Sequence, residues 1–239
     1  LVKITARDSL IVSGPVSFVG TLTTEQGRNG GDIVLSAMEL TVEKGGAVQT
    51  ATDVWTTDQG AGDAGDVVVE AGRVTLRDGG SRLSSITAGA GQGGDIAISA
   101  DESVLVAGQT RHNAAVIATL AANSGNAGHI QIATPDLRLE GGFISVATQG
   151  AGRAGNIEID TARAQFTDGA IIDSSTLGSG QGGEIVLNAT ESISLSGFSL
   201  DNEPNLISSV AFRSGNAGSI RLTTPDLTVS QGTLSALSA

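Results

Sequence analysis

The sequence predicts an all-β fold, namely a right-handed parallel β-helix (a solenoid) of about eight coils, each containing three short strands. The first observation behind this prediction is a glycine-rich phrase that recurs seven times, at intervals of 27 to 35 residues. The second glycine of the phrase occupies positions Gly31, Gly65, Gly94, Gly128, Gly155, Gly183 and Gly218. A repeat of this length is typical of stacked units that bury their apolar sides against their neighbours.

The second observation is that each repeat contains three short segments in which apolar and polar residues alternate. In one repeat these segments are Asp32–Ala37, Leu40–Val42 and Val48–Thr50. Alternation with a period of two, in segments rich in β-branched residues and bounded by glycine, indicates strands with one buried face. No window of the sequence holds a sustained apolar stripe with a 3.6-residue period, so no helix of consequence is expected.

Residues at matching places in successive coils are expected to stack about 4.8 Å apart and to form inward columns. The first predicted column consists of Ile33, Val67, Ile96, Ile130, Ile157, Ile185 and Ile220. The second predicted column consists of Leu35, Val69, Ile98, Ile132, Ile159, Leu187 and Leu222. The residue between the two columns varies from Val34 to Glu158 and Arg221, as an outward position should. Eight coils at this spacing give a rod roughly 40 Å long.

The recurring glycines are interpreted as corners between strands. At such corners the backbone needs a positive φ, which glycine adopts without steric cost. Asn113, Asn126 and Asn216 are expected to help at corners, because asparagine tolerates the same conformation. The corner glycines therefore have a structural role in this prediction, and no chemical one.

The coils are of three kinds, in the order A-B-C, A-B-C, A-B, which gives a three-coil superrepeat. Type A coils carry an acidic residue followed by serine before the second strand, at Asp8-Ser9, Glu102-Ser103 and Glu191-Ser192. Type B coils carry Met38-Glu39-Leu40, Pro135-Asp136-Leu137 and Pro225-Asp226-Leu227. Type C coils begin their second strand with arginine, at Arg73–Gly79 and Arg163–Gly169. This pattern indicates duplication of a three-coil block.

Type A coils also carry long insertions, at Gly14–Thr21, Gly108–Ala115 and Gly197–Leu206, which should emerge on one flank about every 14 Å. Two interpretations stay open. These segments are either surface insertions, which cost little entropy as they lengthen, or contact loops on a rigid scaffold. The candidate contact residues are Arg111, His112, Asn113, Asn202, Glu203, Pro204, Asn205 and Trp55. Trp55, in the insertion Asp53–Gly60, could also fold back on the rod.

Composition favours a single elongated domain over residues 1–239, expected to be a segment of a longer chain because Leu1 falls inside a strand. The absence of cysteine excludes disulfides and thiolate metal sites. The net charge of −12 makes nucleic acid and anionic membrane surfaces poor partners, and no apolar run is long enough to cross a membrane.

No catalytic, metal or cofactor site is predicted. Tandem calcium sites would need a constant ligand after the second glycine of the phrase, and this position varies along the chain. It holds Asp32, Asp66, Asp95, His129, Asn156, Glu184 and Ser219. A single ion near Asp58, Asp63 and Asp66 is left open. Polysaccharide-cleaving β-helices need a carboxylate cluster with a basic residue, but Asp78 and Asp168 recur as repeat elements. We therefore do not expect an enzyme.

The phrases Gly-Asn-Ala-Gly-x-Ile, Pro-Asp-Leu-x-Leu/Val and Gly-Gly-x-Ile-x-x-x-Thr resemble the repeat region of filamentous-haemagglutinin-type exoproteins. The resemblance covers essentially the whole chain. It implies a right-handed β-helix that is secreted or held at the cell surface of a Gram-negative bacterium. It also implies an outer-membrane transporter as the partner in two-partner secretion, and an adhesive or matrix role such as biofilm formation. The secretion domain of that family is not visible in this sequence.

The leading hypothesis is an extracellular structural fibre or adhesin stalk that is not catalytic. Its expected partners are other copies of itself, joined end to end or laterally, and a host, cell-surface or matrix glycan. Two alternatives stay open: a polysaccharide-active β-helix enzyme, and a specific binding module that uses the type A loops.

Overall fold

The computed structural model describes residues 1–23, 28–52, 62–108 and 114–238, and this part of the chain is all β, without a helix. The strands are β1 (Val2–Thr5), β2 (Ser9–Ser13), β3 (Phe18–Thr23), β4 (Ile33–Glu43), β5 (Ala47–Thr52), β6 (Val67–Leu76), β7 (Arg82–Thr87), β8 (Ile96–Ala107), β9 (Val116–Ala121), β10 (Ile130–Glu140), β11 (Phe143–Thr148), β12 (Ile157–Thr167), β13 (Ile171–Thr176), β14 (Ile185–Leu195), β15 (Asn205–Ala211), β16 (Ile220–Thr223), β17 (Asp226–Val229) and β18 (Gly232–Ser238).

These strands form two parallel sheets that run along the length of the molecule. The first sheet has the order β1-β4-β6-β8-β10-β12-β14-β16, with β2 and β17 paired to β4 and β14. The second sheet has the order β3-β5-β7-β9-β11-β13-β15-β18. Each coil thus adds one rung to each sheet, and we number these rungs as levels 1 to 8 from the amino terminus. The predicted solenoid of stacked parallel coils is confirmed.

The first two of the three predicted segments join into one long strand in levels 2 to 7. They remain separate only in the terminal levels, as β1 with β2 and as β16 with β17. Where a long strand of a type A coil, β8 or β14, pairs with a neighbouring long strand, the register shifts near the junction of the segments, for example between Ala71 and Arg73. Type A coils carry one extra residue there, so that Glu102 forms a β-bulge while Arg73 pairs with Ser103.

Both predicted inward columns are present and form the core. Ile33, Val67, Ile96 and their equivalents up to Ile185 are fully buried, and each pairs with the next along the stack. Ile220 packs against the end of this column and is half-buried. Each fully buried aliphatic side chain contributes roughly 1.5–3 kcal/mol. Stacking of like residues therefore stabilises every level in the same way.

The predicted reason for the corner glycines is wrong. None of the seven has a positive φ, and the glycines that do lie in other turns, for example Gly80 and Gly141. A Cβ on Gly128 would instead overlap the carbonyl oxygen of Gly94, the equivalent glycine one level earlier. The same clash recurs at each equivalent glycine from Gly65 to Gly218. Glycine is required here because the stacked backbones approach too closely for any side chain.

A column of inward hydroxyl groups, which the sequence analysis missed, packs against these glycines. The Ser174 hydroxyl donates to the Gly155 carbonyl at 2.7 Å and accepts from the Gly183 amide at 3.1 Å. Thr119 likewise donates to the Gly128 carbonyl at 2.8 Å. The hydroxyls satisfy backbone groups that would otherwise be buried without a partner. The alternation pattern places these residues inward, but it does not say why they are polar.

Candidate functional site

A ladder of side-chain acceptors follows the corner glycines along the rod. Asp66 accepts a hydrogen bond from the Asp95 amide at 2.7 Å, and Asp95 accepts one from the His129 amide at 2.7 Å. The series continues when His129 Nδ1 accepts from the Asn156 amide at 2.9 Å. This repeat position therefore requires only a side chain that accepts a hydrogen bond. Aspartate, histidine and asparagine all meet this requirement and so exchange there.

A second ladder runs beside the first and includes residues considered above as calcium ligands or corner residues. Asp63 Oδ1 accepts from the Gln92 amide at 2.7 Å. Asn126 Oδ1 accepts from the Arg153 amide at 2.8 Å, and Asn126 does not have the positive φ expected of it. Asp58 lies outside the described residues. Within the described ranges, no group of three or more His, Asp or Glu side chains is placed to hold a metal ion.

An acid–arginine–acid cluster on the outer face of the first sheet spans three levels. Arg73 of a type C coil lies 2.7 Å from the Glu39 carboxylate, one level earlier, and 2.6 Å from that of Glu102, one level later. Hydrogen bonding to Glu102 raises the pKa of Arg73. Arg163 repeats the arrangement three levels on, at 2.8 Å from Glu191. The arginines are thus engaged in structural ion pairs.

The aspartates of the type C turns are also structural. Asp78 and Asp168 have φ values of 68° and 59°, so they occupy the left-handed region at the end of the long strand. Asp78 accepts from the Lys44 amide at 3.2 Å. Nearby, hydrogen bonds from Arg77 and Ser13 hold the pKa of Glu43 below its usual value. These contacts favour the interpretation of Asp78 and Asp168 as turn residues.

A shallow groove of about 400 Å³ crosses levels 3 to 6 on the outer face of the first sheet. The small side chains of Ala97 and Ala133 lie along its floor, while Glu70 and Glu158 lie at its two ends. The Asp160 carboxylate at its edge accepts from Asn188 at 3.0 Å. The described lining of the groove consists of acidic, small and aliphatic residues with Gln131, and includes no arginine or lysine. This lining does not supply the basic residue that a polysaccharide lyase would need.

The type A loop at 197–204 is a candidate contact surface that is held by several internal hydrogen bonds. Ser199 lies at its centre: its amide donates to the Glu203 carbonyl at 2.9 Å, its carbonyl accepts from the Asn202 amide at 2.9 Å, and its hydroxyl accepts from the Glu203 amide at 3.0 Å. Asn202 takes a φ of 59°, and Phe198 forms a bridge with Pro204. These contacts fix the loop, so its tip is presented without a large ordering cost.

The tip of this loop is apolar. Leu200 is 81% exposed and Phe198 is 47% exposed, beside the acidic Asp201. The loop of the first coil has the same character, since Val16 at its tip is 93% exposed. That loop covers only residues 14–17, because Phe18–Thr21 belongs to β3 rather than to the predicted insertion. The alternation Val19, Thr21, with its inward side chains, extends the second sheet by one level.

Asn205 is fully buried, unlike the described candidate contact residues Asn202, Glu203 and Pro204. Its Oδ1 accepts from the Ala170 amide at 2.9 Å, and its Nδ2 donates to the carbonyls of Ser196, Gly197 and Gln231 at 2.9 to 3.1 Å. Asn205 therefore anchors the loop to the levels on either side of it. The candidates Trp55, Arg111, His112 and Asn113 lie outside the described residues.

Comparison with protein-family models, with curated proteins and with solved structures finds no match to this chain. In the part of the chain that the structure describes, no helix is long and apolar enough to span a membrane. The function is therefore inferred from the contacts of the described residues.

Proposed function

We propose that this chain is a structural rod of an extracellular fibre or adhesin stalk, without catalytic activity, which presents its type A loops on one flank. The observation that carries the proposal is the fixed loop at 197–204, with its exposed apolar tip on a scaffold that repeats every level. Rigid scaffolds with ordered, exposed loops suit adhesion, because binding need not first order the loop.

Uniform axial bonding supports the structural part of the proposal. The corner ladders, the hydroxyl column and the inward columns use side chains to join one level to the next. A solenoid of this kind is stabilised by nearest-neighbour contacts, so its length can grow without a larger core. Such a molecule suits the role of a spacer between a cell and its surroundings.

Export through an outer-membrane transporter, a location at the surface of a Gram-negative bacterium and recognition of a surface or matrix glycan remain parts of this proposal. They rest on the sequence resemblance. A second candidate function, specific binding through the loops, is favoured by the same 197–204 geometry and is distinguished by saturable affinity for one ligand.

Adhesion of coated beads tests the proposal. Beads carrying the rod should be retained under flow on epithelial cells or on immobilised biofilm polysaccharide. A Phe198→Ser, Leu200→Ser variant should lose most of this retention and keep its fold. Met38→Ser is the matched control, because Met38 is 63% exposed but lies on the first sheet. Equal retention of all three proteins, or release of oligosaccharide from pectin- or alginate-like polymers, would contradict the proposal.

A further inference from the structure

The outer face of the second sheet differs in charge from that of the first. Among the eight strands of the second sheet, Arg82 in β7 and Asp173 in β13 are the only charged residues. Every strand of the first sheet except β2 carries at least one charge. In a chain of net charge −12, a nearly uncharged sheet face is the surface on which two copies repel each other least.

This face is also apolar. The outward positions of its strands hold half-buried residues such as Val116, Phe143, Ile171 and Leu206, and Phe212 is 53% exposed. Between the apolar rows runs a central row of small residues that includes Ala118, Ser145 and Ser208, paired in register along the stack. A face with such apolar rows resembles the inner surface of a two-sheet sandwich.

Among the described residues, neither of the two charged residues of this face has a partner of opposite charge. The Arg82 Nε donates to Gln49 at 2.9 Å. No carboxylate of the described residues lies within ion-pair distance of its guanidinium. Asp173 accepts only hydroxyl hydrogen bonds, at 2.6 Å each from Ser175 and Ser208, and burial raises its pKa. Each residue therefore lacks an opposite charge, which the other residue could supply.

We infer that two copies of this chain pack face to face through their second sheets, in antiparallel orientation, with Arg82 of each copy on Asp173 of the other. Arg82 is in level 3 and Asp173 in level 6, so the midpoint between them is the midpoint of the eight levels. An antiparallel pair thus overlaps over its full length and forms both contacts by symmetry. The two residues are offset by two positions along the strand, roughly 6.6 Å, within the reach of an arginine.

The area available fits a weak but specific dimer. Level 2 is excluded, because the outward residues Gln49 and Ala51 of β5 are already buried. In the other copy, level 7 would lie opposite. A groove of about 390 Å³, lined by residues of levels 5 to 8 that include Val210 of level 7, leaves room there. The remaining six levels, at about 4.8 Å by about 20 Å each, bury roughly 580 Å² per copy. The total of about 1,150 Å² lies at the lower limit for specific interfaces.

This inference rests on the proposed function and deepens it, because it specifies how two copies of the structural rod associate laterally. Sedimentation equilibrium of the whole chain at low salt should show a concentration-dependent dimer. Arg82→Asp and Asp173→Arg should each weaken it at least tenfold, and the double variant should restore it. Glu158→Arg, which changes the charge equally on the first sheet, is the control and should dimerise normally. If Asp173→Arg fails to fold, Val116→Asp, at an outward position of level 4 inside the interface, should also produce monomers.

Orientation is tested by cross-linking, since the native chain contains no cysteine. Ala118 and Ser145 lie in levels 4 and 5 of the central row, so an Ala118→Cys chain mixed with a Ser145→Cys chain should form mixed disulfide dimers. A wild-type monomer at all concentrations, charge variants that dimerise normally, or dimers that link only Ala118→Cys to itself would overturn the inference. Monomeric rods that still adhere would leave the proposed function standing, whereas dimers without adhesion would contradict that function alone.

Discussion

The guanidinium of Arg73 lies 2.6 Å from the carboxylate of Glu102, the residue that forms the β-bulge of the next coil. This contact gives the three-coil superrepeat a physical meaning. Type B coils supply an acid below the arginine, type C coils supply the arginine, and type A coils supply a bulged acid above it. The same order returns at Asp136, Arg163 and Glu191. The sequence of coil types is therefore a sequence of complementary charges.

Deletion of whole coils tests this reading of the superrepeat. Removing residues 95–183, a complete block of levels 4 to 6, should leave a folded, shorter rod, because the charge order is kept. Removing residues 156–183, the type C level alone, should destabilise the rod more per residue removed, since it places Asp136 next to Glu191. Thermal unfolding followed by circular dichroism measures both. A single-coil deletion as stable as the block deletion would contradict the role of the ion clusters.

The stacking role of the corner glycines predicts which of two glycine substitutions destabilises the fold more. Gly128→Ala places a Cβ on the Gly94 carbonyl and should cost about 3 kcal/mol or more. Gly80→Ala should cost only about 1–2 kcal/mol, because Gly80 has a positive φ but its Cβ would meet its nearest neighbour at 3.6 Å. Denaturant unfolding compares the two. The reverse order would restore the explanation by backbone conformation.

The buried hydroxyl column predicts losses of stability of different size at two equivalent positions. Ser174→Ala should lower the free energy of unfolding by about 1–3 kcal/mol, because the Gly155 carbonyl and the Gly183 amide lose a hydrogen-bond partner. Val146→Thr should lower the free energy of unfolding by less than about 1 kcal/mol. Val146 pairs in register with both Thr119 and Ser174, so a hydroxyl at this position should reach the Gly155 carbonyl. Equal losses for the two variants in urea unfolding would contradict this.

The raised pKa of Asp173 predicts how the stability of the fold changes with pH. Burial raises the pKa of Asp173, and the Ser175 and Ser208 hydroxyls oppose this only in part. The folded chain therefore binds this proton more tightly than the unfolded chain, so this residue's contribution to stability falls as pH rises from below about 3.9 through the raised pKa. In dilute solution, where the chain is monomeric, Asp173→Asn should thus unfold at a higher temperature than wild type near pH 7, with the difference shrinking towards pH 3. A gap that grows on acidification would contradict the assignment.

The fold could be predicted from the sequence because one face of every strand is buried. The alternation of apolar and polar residues therefore identifies each inward column, such as that from Ile33 to Ile185, from the sequence alone. The reason for the glycines could not be predicted, because the close approach of Gly94 and Gly128 exists only between levels. Asn205 was missed as an anchor for the same reason, since its partners Ala170 and Gln231 belong to the neighbouring levels.

Immunogold electron microscopy of the producing cell tests the central claim most directly. Antibodies against the exposed loop at 197–204 should label thin fibres outside the cell, because the tip of this loop stays accessible on an assembled rod. Antibodies against Ser174 and its buried neighbours should not label until the fibres are denatured. Gold confined to the cell interior, or found on no filament, would contradict a surface fibre or stalk.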